Sequence, residues 1–362
     1  MMLHRPVTEY GKFTIMIMAG GTGGHVYPAM AVADYLKEHG WHIVWLATQG
    51  GMENQLIQGK GYAKAMITMR GVRGKGVASW LFLPVKLAVA FKQSFAAIRQ
   101  HKPNVVLGMG GFAAFPGGLM AKVLGRPLVI HEQNSIAGLT NKILSVFANQ
   151  LLAAFPSAFG DKAQLVGNPV RIEMTQLALP QARYKGRTGK LNLLVVGGSL
   201  GATALNDVIP KALANTKLSF NVVHQAGEKH IEALQANYQK VGVSADTKAF
   251  IKNMSEMYAW ADIVVCRAGA LTIAELACVG VASVLVPFPY AVDDHQTYNA
   301  KYLSATGAAL LIAQSEFNVQ KAKEILGNLT REICLDMAIK AKQLAKPEAT
   351  LSVANICMEA AR

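Results

Sequence analysis

The sequence predicts two doubly wound α/β domains, because the same opening unit occurs twice along the chain. The apolar run Phe13–Ala19 meets the glycine turn Gly20–Gly24, and a segment with helical spacing, Pro28–His39, follows. Leu191–Val196 meets the turn Gly197–Gly201 in the same way and is also followed by a helical pattern. A buried strand, a glycine turn and a helix in this order are typical of a parallel sheet covered by helices.

Further short apolar runs continue both series, at Trp41–Ala47, Val105–Leu107 and Pro127–Ile130, and then at Asn221–His224, Ile263–Cys266 and Ser283–Val286. Between the two series, Ala182–Lys190 is polar, basic and contains glycine, as expected for a domain boundary. The last segment, Glu348–Arg362, has helical periodicity and could pack on either domain. Ligands of open parallel sheets bind at the carboxyl ends of the strands, so we expect both glycine turns at one cleft.

The charge balance favours an anionic partner. Of the 362 residues, 52% are hydrophobic and only 16% are charged, yet the net charge is +14. Nucleic acid, a phosphorylated substrate or an acidic lipid surface would suit this balance, and a merely basic protein is the alternative. The first residues lack the apolar core of a signal peptide. No apolar run is long enough to cross a bilayer, so a membrane would be met from the side.

The four cysteines, Cys266, Cys278, Cys334 and Cys357, lie in apolar surroundings and form no C-x-x-C pair. Metal or disulfide spacing is therefore missing, and we expect reduced core residues of a cytoplasmic protein.

The first glycine turn ends in His25. A turn between a strand and a helix presents backbone N–H groups to an anion. The dinucleotide pattern G-x-G-x-x-G would need glycine at Val26, and a P-loop would need a lysine that is missing beside His25. The turn is thus compatible with phosphate but belongs to neither class. His25 is a candidate base, with a structural or hydrogen-bonding role as the alternative.

Two more loops of the first half carry glycine or polar residues directly after predicted strands. They are Gly108–Phe112 and His131–Asn134, the latter containing Glu132 as a second, weaker candidate base. Either loop alone would be ordinary. Because the carboxyl ends of parallel strands share one edge, we expect both loops beside the first glycine turn.

In the second half, Arg267–Thr272 joins a predicted strand to a helix that carries Glu275. A carboxylate one turn into such a helix can accept hydrogen bonds from both ribose hydroxyls. The alternative is a capping box, with Thr272 as the cap and Glu275 three residues on. Asp293–Gln296 resembles a metal cluster, but it lacks a second ligand set, so no metal is expected there.

An apolar, aromatic stretch in the first half is surrounded by basic residues. Trp80, Leu81, Phe82 and Val85 belong to this stretch, and the basic residues around it are Arg70, Arg73, Lys75, Lys86, Lys92 and Arg99. Such a patch fits an anionic membrane surface, and core packing of the same residues is the alternative.

Eight motifs together resemble glycosyltransferase family 28, the family of the bacterial enzymes that add N-acetylglucosamine during peptidoglycan synthesis. They occur in order over nearly the whole chain, at Gly20–Ala33, Gly71–Gly76, Gly108–Gly117, His131–Lys142, Gly167–Arg171, Gly197–Ala202, Cys266–Leu276 and His295–Ala300. Each motif alone would be weak evidence, and the ordered set is strong.

The resemblance implies a GT-B fold and an inverting transfer without cofactor or metal. The donor would be UDP-N-acetylglucosamine, and the acceptor the muramyl C4 hydroxyl of lipid I, an undecaprenyl-diphosphate-linked muramyl peptide, giving lipid II. The implied place is the cytoplasmic face of the bacterial inner membrane, in peripheral contact with anionic lipid. Other cell-wall synthesis proteins are implied partners, and nucleic acid is not.

The resemblance also implies domains and residue roles. An acceptor- and membrane-binding domain would span 1–170, a UDP-sugar-binding domain 171–347, and the helix 348–362 would pack back on the first. The implied substrate contacts are Thr22, Gly23, Gly24, Asn134, Arg171, Ser199, Ile251, Ala270, Leu271, Thr272, Ile273, Ala274, Glu275 and Gln296. Ser199 would contact the diphosphate, Ile251 the uracil, Glu275 the ribose and Gln296 the sugar.

Two positions depart from the family pattern: Val292–His295 is less basic than expected, and Phe112 excludes any role that needs a hydroxyl there. One alternative keeps the fold and the UDP-sugar but changes the acceptor, as in other glycolipid glycosyltransferases. Another class is a non-catalytic nucleotide-binding or nucleic-acid-binding protein, which would interleave basic and aromatic residues along a groove.

Overall fold

A computed structural model describes residues 13–69, 82–198 and 201–362 of the chain. The chain divides into two compact units. The first unit ends at Arg171 and also takes in Pro347–Arg362, and the second unit is Ile172–Lys346.

The first unit contains a sheet of seven parallel strands in the order β3-β2-β1-β4-β5-β6-β7. The strands are β1 Thr14–Met18, β2 His42–Thr48, β3 Ala63–Ile67, β4 Val105–Gly108, β5 Leu128–Glu132, β6 Gln150–Ala153 and β7 Gln164–Leu165. The helices are α1 Gly23–Glu38, α2 Glu53–Leu56, α3 Leu83–His101, α4 Ala114–Val123 and α5 Leu139–Leu144, with a 3-10 turn at Gly160–Lys162.

The second unit repeats this order with six parallel strands, β10-β9-β8-β11-β12-β13. They are β8 Leu191–Val196, β9 Phe220–Gln225, β10 Asp246–Lys248, β11 Ile263–Cys266, β12 Ala282–Leu285 and β13 Ala309–Leu311. The helices are α6 Ile172–Thr175, α7 Pro180–Tyr184, α8 Thr203–Ala214, α9 Ile231–Val241, α10 Met254–Trp260, α11 Ala270–Val279, α12 His295–Ser304, α13 Val319–Gly327 and α14 Arg331–Gln343, with 3-10 turns at Glu228–His230 and Val292–Asp294.

Strand β1 shows why the central strands read as continuous apolar runs. Ile15 and Ile17 enter the core on one face of the sheet, and Met16 and Met18 enter the core on the other. All four side chains are fully buried. Helices cover both faces of a doubly wound sheet, so neither face of a central strand can be polar.

The final helix, α15 (Ala349–Ala360), packs on the first unit although it follows the second unit in the chain. Val353, Ala354 and Cys357 are fully buried in the same core as β1 and α1. The sequence left open which domain this helix joins, and its buried face settles the choice.

Two expected boundaries differ from the structure. Helix α1 begins at Gly23 and not at Pro28, which lies inside it. The first turn of a helix needs no internal N–H donors, and a proline just beyond it removes only one bond. Strand β5 runs to Glu132, so His131 and Glu132 lie within the strand and not in the loop after it.

The segment Ala182–Lys190, which composition suggested as a domain boundary, lies inside the second unit. Arg187 forms an ion pair with Asp262 at 2.5 Å, and Arg331 pairs with the same carboxylate at 3.3 Å. Asp262 is completely buried, and its Oδ2 also accepts from the backbone N–H of Asn192 at 2.9 Å, so the buried charge is both paired and hydrogen-bonded. The basic residues of this segment therefore stabilise the second unit.

Candidate active site

The first glycine turn lies at the point where the strand order of the first sheet reverses. Strand β1, which precedes this turn, pairs on one side with β2 and on the other with β4. Met18 is the register partner of Gly108, so the turn at Gly20–Gly24 and the loop at Gly108–Phe112 leave the sheet side by side. A doubly wound sheet binds its ligands at this switch point.

The two loops touch through glycine backbones. A Cβ on Gly111 would lie 2.5 Å from the carbonyl oxygen of Gly20, and Gly111 has φ +89°. A Cβ on Gly110 would lie 2.9 Å from Cε1 and Nδ1 of His25, and Gly110 has φ +91°. Only glycine combines this conformation with such close approach. The expected convergence of the two loops is thus found.

His25 is half-buried in the first turn of α1 and belongs to a chain of hydrogen bonds. Its Nδ1 lies 2.9 Å from Oε1 of Gln133. Nε2 of Gln133 lies 3.0 Å from Nδ1 of His131, and Nε2 of His131 lies 2.9 Å from the carbonyl oxygen of Gly167. Residues far apart in sequence therefore hold the imidazole of His25.

His131 is completely buried, and desolvation lowers its pKa to about 4, although its bond to Gly167 and the charge of Glu132 oppose that shift. The imidazole of His131 is therefore neutral near pH 7.

The geometry does not support Glu132 as a base. Its Oε1 accepts hydrogen bonds from the backbone N–H of Asn134 at 2.9 Å and from Nδ2 of Asn134 at 3.2 Å. Its Oε2 accepts from the backbone N–H of Gly138 at 3.0 Å and from Nδ2 of Asn141 at 2.8 Å. Four donors fill the acceptor sites of a carboxylate, so Glu132 organises the loop after β5.

The remaining implied contacts of the first unit lie near these loops or at the end of the unit. Thr22 is exposed at the N-cap of α1 and makes no side-chain capping bond, while Gly23 and Gly24 are half-buried in the first turn. Asn134 is half-buried in the loop organised by Glu132. Arg171 is half-buried and is the residue at which the first unit ends.

In the second unit, the glycine turn again follows the strand at the reversal point, β8, which pairs with β9 and β11. Ser199, the implied diphosphate contact, lies outside the described residues, as does Leu200. Gln225 holds the start of the turn: its Oε1 accepts from the N–H of Gly198, and its Nε2 donates to the carbonyl of Gly198, both at 3.0 Å. These two bonds fix the backbone that leads into the turn.

Glu275 is not part of a capping box. Helix α11 begins after the N-cap Gly269, and no side chain caps it, so Thr272 lies inside the first turn. Glu275 is 6% exposed, and Oη of Tyr258 donates to its Oε2 at 3.3 Å. The capping-box interpretation is wrong because the helix starts three residues earlier than that motif requires.

The helix segment around Glu275 divides into exposed and core positions. Leu271, Thr272 and Ala274 are half-buried, whereas Ala270 is 6% exposed and Ile273 is fully buried in the unit. The side chains of Leu271, Thr272 and Ala274 are therefore the more accessible ones in this segment. At Ala270 the backbone at the helix N-terminus is the accessible group.

The side chain of Gln296 is held by two hydrogen bonds, and that of Ile251 is buried. Oε1 of Gln296 accepts from the backbone N–H of Ala268 at 3.2 Å and of Phe288 at 2.9 Å, which ties together the loops after β11 and β12. These two bonds occupy the amide oxygen of Gln296. Ile251 is 6% exposed, so backbone groups are better placed than its side chain to meet a base.

The polar run Asp293–Gln296 makes local bonds. Oδ1 of Asp294 accepts from Oγ1 of Thr297 at 2.7 Å, and Nδ1 of His295 lies 2.7 Å from the carbonyl oxygen of Val292. Within residues 13–69, 82–198 and 201–362, no group of three or more His, Cys, Asp or Glu side chains is arranged to hold a metal ion.

Part of the apolar and basic patch lies on the exposed start of α3. Phe82 is 61% exposed and Val85 is 63% exposed, and Lys86 is exposed beside them. Core packing is therefore excluded for these two apolar side chains. Trp80, Leu81, Arg73 and Lys75 lie outside the described residues. No helix in the described part of the chain is long and apolar enough to span a membrane.

All four cysteines are free and buried, as the sequence predicts. Burial raises the pKa of the Cys266, Cys334 and Cys357 thiols to about 12 and that of Cys278 to about 11. Thiols that stay protonated are poor nucleophiles and poor metal ligands.

Three supporting residues were not singled out from the sequence: Gln133, Gln225 and Tyr258. Gln133 lay inside a motif used for the resemblance, and Gln225 follows directly after an expected strand. The position of both glutamines at the end of a strand is the feature of the sequence that could have indicated their role. Nothing local marks Tyr258, which reaches Glu275 from a different helix.

Two parallel sheets in this order, each with a glycine turn at its reversal point, define a protein of the doubly wound, nucleotide-binding class. Residues 15–153 match the N-terminal domain of glycosyltransferase family 28, and residues 192–353 match its C-terminal domain. The chain belongs to this family, and the prediction of a GT-B fold with two Rossmann-like domains is confirmed.

Named relatives cover nearly the whole chain. The UDP-N-acetylglucosamine–N-acetylmuramyl-(pentapeptide) pyrophosphoryl-undecaprenol N-acetylglucosamine transferase of Nitrosospira multiformis is 55% identical over 350 residues, 96% of this chain and 98% of that protein. The crystal structure of Acinetobacter baumannii MurG has a TM-score of 0.85 and 40% identity, covering 96% of this chain and 99% of that one. The calicheamicin glycosyltransferase CalG4, at 13% identity and a TM-score of 0.66 over 96% of this chain and 98% of that one, shares the fold alone.

Proposed function

We propose that this protein transfers N-acetylglucosamine from UDP-N-acetylglucosamine to the C4 hydroxyl of the muramyl sugar in lipid I, forming lipid II and UDP. The observation that carries the proposal is the near-complete match to relatives named for this transfer, at 55% and 53% identity. The glycosyltransferase CalG4, which shares only the fold, is 13% identical.

The second unit would hold the donor. Glu275 would accept hydrogen bonds from the ribose hydroxyls, as the family resemblance implies, and Oη of Tyr258 would orient its carboxylate. The backbone near Ile251 would meet the uracil, and Nε2 of Gln296 would donate to the sugar. Ser199 would contact the diphosphate on the turn that Gln225 holds.

The first unit would hold the acceptor and supply the base. His25 would take the proton of the C4 hydroxyl as its oxygen attacks the anomeric carbon, and the bond to UDP breaks on the opposite side. One C–O bond forms, one breaks, and the configuration inverts. The implied substrate contacts in this unit are Thr22, Gly23, Gly24, Asn134 and Arg171.

The transfer would proceed without a metal or other cofactor. The developing negative charge on the leaving diphosphate needs stabilisation, which backbone N–H groups at a glycine turn and a helix N-terminus supply. Helix α11 begins at Ala270 and carries no acidic side chain in its first turn, so no carboxylate of that turn would oppose an anion.

The membrane-facing part would be the start of α3, with peripheral contact to anionic lipid on the cytoplasmic face of the inner membrane. Exposed Phe82 and Val85 next to Lys86 combine apolar area with positive charge, the combination that an anionic interface binds. A lipid-linked acceptor is presented at that interface.

A transfer assay tests the proposal. Purified full-length protein is incubated with UDP-N-acetylglucosamine and a lipid I analogue in the presence of EDTA, and the product is identified by mass spectrometry. The expected product is the disaccharide-bearing lipid, together with UDP. Hydrolysis alone, transfer only to other acceptors, or a strict need for divalent metal would contradict the proposal. UDP-glucose in place of the donor serves as the control.

A further inference from the structure

We propose that Gln133 and His131 are positioning residues that hold His25 in the one neutral tautomer able to accept a proton at Nε2. This inference rests on the proposed transfer, in which His25 acts as the base. The side chains that carry it all lie in the first unit, and each is among the described residues.

The positions of the protons in this series of hydrogen bonds follow from its buried end, at the carbonyl of Gly167. A backbone carbonyl can only accept a hydrogen bond, so the carbonyl of Gly167 requires a proton on Nε2 of His131, 2.9 Å away. Burial keeps this imidazole neutral, with its pKa lowered to about 4. A neutral imidazole carries one proton, so Nδ1 of His131 has a free electron pair.

The protonation of His131 determines the orientation of the Gln133 amide, and that orientation determines which nitrogen of His25 carries the proton. Only an N–H can face the electron pair of His131, so the NH2 group of Gln133 points there, 3.0 Å from Nδ1, and also donates to the carbonyl oxygen of His131 at 3.1 Å. The oxygen of the amide must then face His25, 2.9 Å from its Nδ1. An amide oxygen only accepts, so the proton of His25 is on Nδ1 and its Nε2 is the basic atom.

The reverse orientation of the amide is unfavourable. It would set the oxygen of Gln133 against two acceptors of His131, and at 1% exposure no solvent reaches the side chain to compensate. A buried polar group left without a partner costs about 1–3 kcal/mol. The orientation therefore does not depend on the substrate being bound.

The tautomer matters for the reaction. With the proton on Nε2, His25 would present an N–H to the acceptor hydroxyl and could not take its proton. Gln133 thus does for His25 what a carboxylate does in hydrolase triads, but without adding a negative charge. Gly110 complements it by leaving space for the ring.

The test is a histidine tautomer measurement on full-length, 15N-histidine-labelled protein without substrates, by two-bond 1H–15N correlation spectra near neutral pH. We expect His25 protonated on Nδ1 and His131 protonated on Nε2. In Gln133→Met, which keeps side-chain length but removes both hydrogen bonds, His25 should lose its preference for the Nδ1 form. The kcat should fall about 10- to 100-fold, with the KM for the donor changed less than about twofold.

Gln93→Met is the matched control. Gln93 is also bonded at both ends of its amide, to the backbone N–H and to Oγ1 of Thr68, but it lies on α3 outside the relay. This variant should keep both tautomers and the kcat. An Nε2-protonated His25 in the unmodified protein, or an unchanged kcat in Gln133→Met, would overturn the proposal. If the tautomers are as expected but the protein transfers no sugar, the proposed function is wrong and the tautomer assignment still holds.

Discussion

The start of helix α11 decides what Glu275 can do. The helix begins after Gly269, so the carboxylate lies beyond the first turn and is not used to cap the backbone. Tyr258 donates to one of its oxygens and orients it. In the sequence alone, Thr272 followed three residues later by Glu275 fits a capping box and a ligand site equally well. The difference lies in the backbone, which the pattern does not encode.

Glu275→Ala should weaken binding of UDP-N-acetylglucosamine by roughly tenfold or more, because a hydrogen bond to a charged group contributes about 1.5–3 kcal/mol. Isothermal titration calorimetry of the full-length protein measures this affinity. Glu256→Ala removes an exposed carboxylate from α10 in the same unit and should leave the affinity unchanged. An unaltered dissociation constant for Glu275→Ala would remove this residue from the donor site.

Among the secondary-structure elements, α3 has two apolar faces. Ala90, Ser94, Ala97 and Ile98 are buried against the unit. Phe82, Val85 and Val89 follow one another at helical spacing on the exposed side, and Val89 is 42% exposed. A helix needs only one apolar face to pack on its own core. The second face supports the proposed membrane-binding surface, and the neighbouring Lys86 suits an anionic partner.

Replacing Phe82 and Val85 together by serine should lower partitioning to vesicles that contain anionic lipid by roughly tenfold or more, since each buried apolar side chain contributes about 1.5–3 kcal/mol. Vesicle sedimentation measures the bound fraction. Val123→Ser removes an apolar side chain of similar exposure, 62%, from α4 and should partition like the unmodified protein. Equal partitioning of all three proteins would reject the surface.

On the scale of the whole molecule, each unit has its own core and its own buried, neutral histidine. In the second unit His224 is fully buried between Tyr238 and Asn206, at 2.9 and 3.1 Å, and desolvation lowers its pKa to about 3. Unfolding exposes this histidine and returns its pKa to about 6.5. The unfolded state then binds more protons below that pH. Stability is complete above pH 6.5 and falls as the pH decreases towards 3.

His224→Gln should reduce this pH dependence. Between pH 7 and pH 5, protonation of one such histidine on unfolding lowers the free energy of unfolding by about 2 kcal/mol, and the variant should lose that contribution. Urea unfolding at the two pH values measures the change. His42→Gln, at the exposed start of β2, should behave like the unmodified protein. The prediction fails if His224→Gln keeps the full loss of stability at pH 5.

The sequence alone predicts the central strands of both sheets, the glycine turns after β1 and β8, and the buried cysteines. It does not predict the outer strands β3, β6, β7, β10 and β13, which are shorter or less uniformly buried. The predicted features are local. A strand buried on both faces must be apolar, and a tight turn before a helix favours glycine. Each feature can therefore be recognised from a short segment of the sequence. The family motifs are likewise short segments. Even the convergence of the loops after β1 and β4 followed from the rule for parallel sheets.

The use of the polar groups follows from contacts in the folded protein and could not be predicted from the sequence. His25 and Gln133 are 108 positions apart, and their contact depends on the pairing of β1 with β4 and of β4 with β5. In the same structure, donors from the loop after β5 and from α5 occupy all four acceptor sites of Glu132, and α15 lies on the first unit. A hydrogen bond has one partner and one direction, and a helix face fits several surfaces. The spacing of residues along the chain therefore predicts neither the hydrogen-bond partner nor the surface on which the helix packs.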